Sequence, residues 1–259
     1  SDLYPSHWDR TADYEMDPEV VGSQGTDVFG GVYHFTIRED LKSLPSMSLV
    51  MDVDDMFGPS GIYSKPTVDG LERPVSVELL YPSEYERENG LDGFQIGAAI
   101  RIHGRRSRIC APKHALRLVF KQPYGPSKLE YPLFENCPVD SFDTIVLRAY
   151  SNHSWLWQSQ TRAGGRKHAQ YIRDQWSRDT QRAMGQSSTY GTYVHLYING
   201  LYWGLYSVHE RPDERFLSAH IGGHRDDWDV INSGEVINGD SIAWNTLINM
   251  ANNTDLSNP

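Results

Sequence analysis

The sequence has 259 residues, 39% of them hydrophobic, and 34 acidic against 24 basic side chains give a formal net charge of −10. Such a chain can bury a sizeable core and does not have the composition of a disordered protein. Its acidic balance argues against a general nucleic-acid binder, and it contains no apolar run near the roughly 20 residues that cross a bilayer. We therefore expect a globular protein with neither a nucleic-acid partner nor a membrane span.

Short apolar or alternating runs predict strands along the first 150 residues. The runs lie at residues 47–51, 74–80, 94–103, 115–120 and 145–149. Turns rich in Gly, Pro and Asn connect them, and this spacing is typical of an antiparallel sheet.

The clearest local signal is Asn199-Gly200, which stands between alternating runs at residues 192–198 and 201–210. An Asn-Gly pair in this setting predicts a two-residue type I′ hairpin, because both residues tolerate positive φ. Alternation along the first strand places one set of side chains toward the core and the other outward. The inward set is Val194, Leu196 and Ile198, and the outward set is Tyr193, His195 and Tyr197.

Helical spacing predicts a helix over residues 166–184, with Ala169, Ile172, Trp176 and Ala183 on its buried side. The arginines at 173, 178 and 182 then fall on the exposed side. A short helix is predicted between the hairpin and Gly222-Gly223, and another from about residue 240 to 251.

Seven basic residues and no acidic one occur between residues 98 and 124 of this acidic chain. They are Arg101, Arg105, Arg106, Arg108, Lys113, Arg117 and Lys121. The block contains Gly104 and runs into a predicted strand. Positive charge around a tight backbone turn is suited to holding phosphate groups, so we expect an anion to bind here.

Metal and disulfide chemistry have weaker signals. Cys110 and Cys137 can pair in an exported protein or remain two buried thiols. His220 and His224 are four residues apart, but the glycines between them interrupt a helix, so we predict no metal site.

Several motifs in a fixed order resemble the CotH kinase family, named for the spore-coat protein H. They are R-I-H-G-R-R-S-R at 101–108, P-K-H-A-L-R-L at 112–118, L-R-A at 147–149 with N-H-S-W at 152–155, R-D-Q-W-S-R-D at 173–179, and the hairpin at 193–206 followed by E-R-P at 210–212. The resemblance extends over about residues 48–233, and the order of the motifs makes it more specific than any one of them.

The resemblance implies an α+β fold, with an antiparallel β-rich lobe, packed helices and a divergent protein-kinase-like architecture that is incomplete at its C-terminus. Residues 1–45 are then an entry segment and residues 46–259 the N-terminal part of the kinase-like domain. It also implies an extracellular or cell-surface protein of the large bacterial type. Such a protein would use ATP and Mg²⁺ to phosphorylate Ser or Thr of a surface or secreted protein.

Phosphoryl transfer needs a loop over the phosphates, a cation and a carboxylate that holds the cation. On this reading the nucleotide-binding residues are Gly104, Arg105, Arg106, Ser107, Lys113, Arg117 and Glu210. Lys113 takes the place of the kinase lysine and Glu210 that of its carboxylate partner. The catalytic residues are not assigned, because the resemblance places the catalytic Asp downstream of Pro259. We expect this segment alone to bind nucleotide poorly and to transfer nothing.

Other readings stay open from sequence alone. Lys113 can be a solvated lysine at a strand edge, and Glu210 can form a structural ion pair with Arg211 or Arg215. The aromatic residues Trp155, Trp157, Tyr202 and Trp203 can form a carbohydrate-binding or adhesin surface if their rings are exposed. A kinase-like scaffold without catalysis is a further alternative.

Overall fold

A computed structural model of the chain describes residues 41–82, 90, 92–110, 113–149 and 170–254, without the side chain of Cys110. Pro112, the N-H-S-W motif at 152–155, Trp157 and residues 166–169 of the predicted helix lie outside the described residues.

Strands dominate the described part of the chain. They are β1 (Ser46–Val50), β2 (Arg73–Leu80), β3 (Phe94–His103), β4 (Ala115–Val119), β5 (Leu129–Glu130), β6 (Ser141–Phe142), β7 (Thr144–Arg148), β8 (Gly191–Ile198), β9 (Leu201–Glu210), β10 (Val230–Asn232) and β11 (Glu235–Asn238). Each strand predicted from the sequence is present. The pairs β5–β6 and β10–β11 form separate two-stranded sheets.

The other seven strands close into a barrel in the order β1-β2-β3-β4-β7-β9-β8. Neighbouring strands are antiparallel except at the seam, where β1 runs parallel to β8. At this seam Leu49 lies opposite Ile198, and the backbone N–H of Asn199 donates to the carbonyl of Leu49 at 2.8 Å. The antiparallel expectation therefore holds for all but this one closing contact.

The barrel interior is filled by every second residue of its strands. The most deeply buried of these side chains are Met47, Leu49, Val77, Leu79, Ile100, Leu116, Leu118, Ile145, Leu147, Val194, Leu196, Ile198, Tyr206 and Val208. The predicted inward face of β8 is confirmed. The Tyr206 hydroxyl donates to the carbonyl of His114 at 2.9 Å, which satisfies a polar group in the core.

Helices lie around the barrel and at its ends. They are α1 (Val53–Phe57), α2 (Ser107–Cys110), α3 (Arg173–Ala183), α4 (Glu214–His220) and α5 (Ile242–Asn253), with a 3₁₀ turn at Arg225–Asp227. Asp213 caps α4 by accepting from two backbone N–H groups. Within the described ranges, no helix combines the length and apolar character needed to cross a membrane.

Helix α3 contacts the barrel with its polar side, contrary to the prediction. Asp174 pairs with Arg148 of β7 at 2.9 Å and with Arg178 of its own helix. Trp176 and Ile172, predicted to be buried, are 68% and 65% exposed. The barrel interior already takes the apolar half of each strand, so its outer surface offers α3 charged and polar partners.

The β8–β9 turn provides a test of the fold. Asn199 has φ +49° and its side-chain oxygen accepts from the backbone N–H of Met51 at 2.9 Å. We expect Asn199→Ala to lower the free energy of unfolding by about 1–3 kcal/mol, because it strains the backbone and removes the acceptor. Urea denaturation measures this change.

Asn199→Gly is the matched control, because glycine adopts positive φ without strain and removes the acceptor alone. Its cost should be the smaller of the two. Equal stability of the wild type and Asn199→Ala would show that the turn and its bond to β1 contribute nothing to the seam.

Candidate functional site

The cationic block begins with a turn that glycine makes possible. Gly104 follows β3 with φ +108°, and a Cβ built on it would lie 2.1 Å from the Oγ of Ser107. A larger residue at this position would meet both backbone strain and a steric clash. The tight turn predicted from the sequence is therefore present, and Ser107 at the start of α2 lies directly against it.

The two arginines of this turn have different surroundings. Arg105 is exposed and forms an ion pair with Glu235 of β11, which raises the pKa of its guanidinium through hydrogen bonding and charge. The side chain of Arg106 is exposed and has no hydrogen bond or ion pair with any part of the chain that the structure describes. Only Arg106 of the two is therefore available to an anion without breaking an existing pair.

Lys113 is not a solvated lysine. Its Nζ donates to the carbonyl of Leu205 at 2.9 Å and lies 4.4 Å from the ring centroid of Tyr206. Gly204 permits this approach, because a Cβ there would lie 2.8 Å from the same nitrogen. Burial lowers the pKa of Lys113 to about 8.

Glu210 is not the partner of Lys113. Its Oε1 lies 2.6 Å from Nε2 of His220, and its Oε2 accepts from the backbone N–H of Tyr190 at 2.9 Å. Glu210 is five residues beyond Leu205, about 16 Å along β9 at ~3.3 Å per residue. The alternative pairing with Arg211 or Arg215 is also absent.

Arg117 lies in what we call the arginine cluster, formed by Arg101, Arg117, Arg211 and Arg215. Arg101 and Arg117 are directly opposite each other on β3 and β4. Burial, followed by the charges of Arg211 and Arg101 and, more weakly, Arg215, lowers the pKa of Arg117 to about 9, and the charge of Asp213 opposes this shift in part. Its Nε is buried and has no hydrogen-bond partner among the described residues.

The other three arginines of the cluster each have a carboxylate within 4 Å. Arg101 pairs with Glu72 at 3.5 Å and Arg211 with Asp213 at 3.4 Å, while Arg215 lies 3.8 Å from Glu214 and 3.9 Å from Asp143. Within the described ranges, Arg117 has no such partner. The arrangement thus leaves the half-buried guanidinium of Arg117 without a carboxylate within 4 Å among the described residues, and its Nε is buried and unpartnered.

The arginine cluster also affects the pKa of His103. Burial, together with the charges of Arg117, Arg211, Arg108 and Arg101, lowers its pKa to about 3. Its imidazole is therefore neutral at physiological pH. A neutral ring beside several guanidinium groups can accept or donate a hydrogen bond but adds no charge to the site.

A cleft of about 360 Å³ opens beside the arginine cluster, between β6, the end of β9, α4 and the 3₁₀ turn. Arg211 and Arg215 line it, with Lys128, Asp143, Asp213 and Glu210 among the other lining residues. Burial raises the pKa of Asp213. Because Arg211 and Arg215 line the cleft, an anionic ligand in the cleft would meet two arginines whose charges also act on Arg117.

The predicted binding residues thus divide into separate places. Lys113 lies against Leu205 and Tyr206, Arg117 joins the arginine cluster, and Glu210 contacts His220. Sequence reasoning missed Arg211 and Arg215 as neighbours of Arg117, although both belong to the segment that begins with the E-R-P motif. The sequence signal for this proximity is that both arginines follow β9. Strand β9 pairs with β7, and β7 pairs with β4, which carries Arg117.

The pKa of Lys113 generates a prediction about pH. The unfolded chain, with an ordinary lysine pKa of 10.5, holds a proton that the folded protein loses between about pH 8 and 10.5. Stability therefore increases with pH in this window, because the unfolded state binds more protons there. Relative to Lys113→Met, we expect the wild type to gain about 3 kcal/mol of unfolding free energy across the window.

Urea denaturation of both proteins at several pH values measures this difference, and titration of other groups cancels in the comparison. A stability difference that stays constant from pH 8 to 10.5 would show that Lys113 keeps an ordinary pKa in the folded protein.

Comparison with known proteins adds one positive finding. A search of curated proteins found no match. The family model described as CotH kinase protein matches residues 100–257, from the end of β3 through α5. This region contains the Gly104 turn, Lys113, the arginine cluster and the cleft. Because the match covers more than half of the 259 residues, the chain belongs to the CotH kinase protein family.

Proposed function

We propose that this chain is the nucleotide-facing part of a CotH-type kinase that transfers the γ-phosphoryl group of ATP to Ser or Thr of a surface or secreted protein. Membership of the CotH kinase family supports the reaction class. The observation that carries the proposal is Arg117, a half-buried arginine with a buried, unpartnered Nε and other arginines close enough to lower its pKa.

A buried cation without a counter-charge costs free energy, and an anion that binds beside it recovers that cost. Phosphate suits the site, because guanidinium groups bind phosphate oxygens in a bidentate, charge-assisted geometry. Arg211 and Arg215 line the cleft, and their charges act on Arg117, so phosphates in the cleft can contact these two arginines and are attracted by the charge of the third. Arg106 is available to add a contact from the Gly104 turn.

These residues contribute charge neutralisation and positioning, which account for most of the catalysis of phosphoryl transfer. Lys113 holds a different role from the one that the resemblance implies. Its ammonium fixes the start of β4 to the carbonyl of Leu205, so it positions the strand that carries Arg117.

The carboxylates beside the arginine cluster do not fit a Mg²⁺ site. Glu72 is engaged by Arg101 and Lys121, and Asp213 caps α4 while it faces Arg211. We therefore assign no metal-dependent step to the described residues.

The carbohydrate-binding alternative gains no support from the described aromatic residues. The Trp203 ring packs against Tyr63 and Phe57, and its Nε1 donates to the Tyr63 hydroxyl at 3.0 Å. Tyr202 is 46% exposed, but its hydroxyl contacts Nδ1 of His195 at 3.1 Å. These two neighbours therefore do not form a flat row of exposed rings.

ATP binding to Arg117→Met tests the proposal. Removal of a charge-assisted contact of about 1.5–3 kcal/mol should weaken ATP affinity about 10- to 100-fold. Isothermal titration calorimetry with ATP measures the change. Arg173→Met is the matched control, because Arg173 is exposed and its side chain hydrogen-bonds only to Gln170 among the described residues.

Arg117→Lys should retain part of the affinity, since it keeps the charge but loses the bidentate geometry. Equal ATP affinity of the wild type and Arg117→Met would remove Arg117 from the phosphate site. Absence of ATP binding to the folded wild type would leave the arginine cluster to another anion and count against the nucleotide assignment.

Arg117→Met, which we expect to weaken ATP binding, should stabilise the free protein. Without nucleotide or phosphate, Arg117→Met removes a half-buried charge whose Nε has no hydrogen-bond partner among the described residues. We expect it to raise the free energy of unfolding by about 1–3 kcal/mol, as seen when apolar residues replace buried charges. Urea denaturation in a chloride buffer measures this, and a loss of stability would show that Arg117 is already compensated in the free protein.

A further inference from the structure

Three side chains that are distant in sequence meet at one end of the barrel. They are Cys137 from a turn after β5, Glu210 at the end of β9 and His220 at the end of α4. The Sγ of Cys137, a carboxylate oxygen of Glu210 and a ring nitrogen of His220 all lie within 4.8 Å of one another. Glu210 is buried and the other two are half-buried.

We propose that Cys137, Glu210 and His220 bind a zinc ion. Thiolate sulfur, imidazole nitrogen and carboxylate oxygen are the three ligand types that zinc takes from proteins. Zinc bonds of about 2.0–2.3 Å in a tetrahedral arrangement place ligand atoms about 3.3–3.6 Å apart. Small side-chain adjustments bring the three atoms to these separations, with the Glu210–His220 contact opening from 2.6 Å.

The surroundings hold the ligands in place as supporting groups do in metal sites. The second oxygen of Glu210 accepts from the backbone N–H of Tyr190 at 2.9 Å. The ring of His220 stacks on Tyr190, with centroids 5.7 Å apart and an interplanar angle of 11°, and also contacts Phe216. Two of the three ligands are therefore oriented before any ion binds.

Three protein ligands leave the fourth zinc position open. Glu210 also lines the cleft, so a water molecule from the cleft can complete the coordination. Cys137 is a free thiol and burial raises its pKa to about 11. Zinc binding converts this thiol to a thiolate and releases its proton to solvent. The ion then links the Cys137 turn, β9 and α4.

Cobalt substitution tests the site. The wild-type chain titrated with Co²⁺ should bind one ion with a thiolate-to-cobalt charge-transfer band in the near ultraviolet, and Zn²⁺ should displace it. Cys137→Ser should lose this band, and His220→Asn should weaken binding at least tenfold. Cys110→Ser and His224→Asn are the matched controls, which should bind as the wild type does.

Zinc should also stabilise the wild type against heat. At a free concentration about 100-fold above the dissociation constant, the unfolded fraction falls about 100-fold, provided that the unfolded chain does not bind zinc. Circular dichroism with and without Zn²⁺ measures this shift, and it should be absent in Cys137→Ser.

Several outcomes overturn the proposal. One is a folded wild type that binds neither Co²⁺ nor Zn²⁺. Another is a charge-transfer band that Cys110→Ser abolishes and Cys137→Ser retains. If Cys137→Ser and His220→Asn fail to fold, X-ray absorption of the zinc-loaded Cys110→Ser protein decides. Cys137 is then the one remaining cysteine of the sequence, so a coordination shell without sulfur contradicts the assignment. None of these readouts depends on ATP binding.

Discussion

Closure of the barrel by the parallel pairing of β1 with β8 is the constraint on which the described structure depends. It leaves the seven strands without an open edge and gives their inward side chains a single apolar interior. Polar and charged residues are thereby confined to the outer surface and to the ends of the barrel. Both the arginine cluster and the Cys137–Glu210–His220 group lie in these places, close to where β9 meets α4.

The barrel also explains why basic residues from one block of the sequence have different surroundings. Lys113 and Arg117 are four residues apart, and the first is held by Leu205 and Tyr206 while the second faces Arg101 and Arg211. The carbonyl acceptor and the aromatic ring occupy the ammonium of Lys113, although burial lowers its pKa. The Nε of Arg117 has no hydrogen-bond partner among the described residues, and it is this difference that makes Arg117 the better candidate for a ligand contact.

Local signals in the sequence predicted the strands, the hairpin and the inward face of β8, because alternation and an Asn-Gly pair act over a few residues. They were wrong about α3, whose apolar residues Trp176 and Ile172 point outward, since periodicity shows which residues share a face but not what surface the helix meets. The partners of Glu210 were also missed. Its contact with His220 depends on α4 folding back on β9, and Cys137 is 73 residues earlier, so no motif spacing connects the three.

The seam between β1 and β8 has a consequence for how the chain acquires its structure. Leu49 and Ile198 are separated by nearly 150 residues, so their pairing closes a long loop and contributes to a high contact order. The match to the family model begins at residue 100, after β1, β2 and most of β3. A polypeptide restricted to the matched residues would lack β1 and so expose the edge of β8, which is a template for intermolecular strand pairing. The matched range therefore does not include the whole barrel, and recombinant expression from residue 100 onward would favour aggregation over folding.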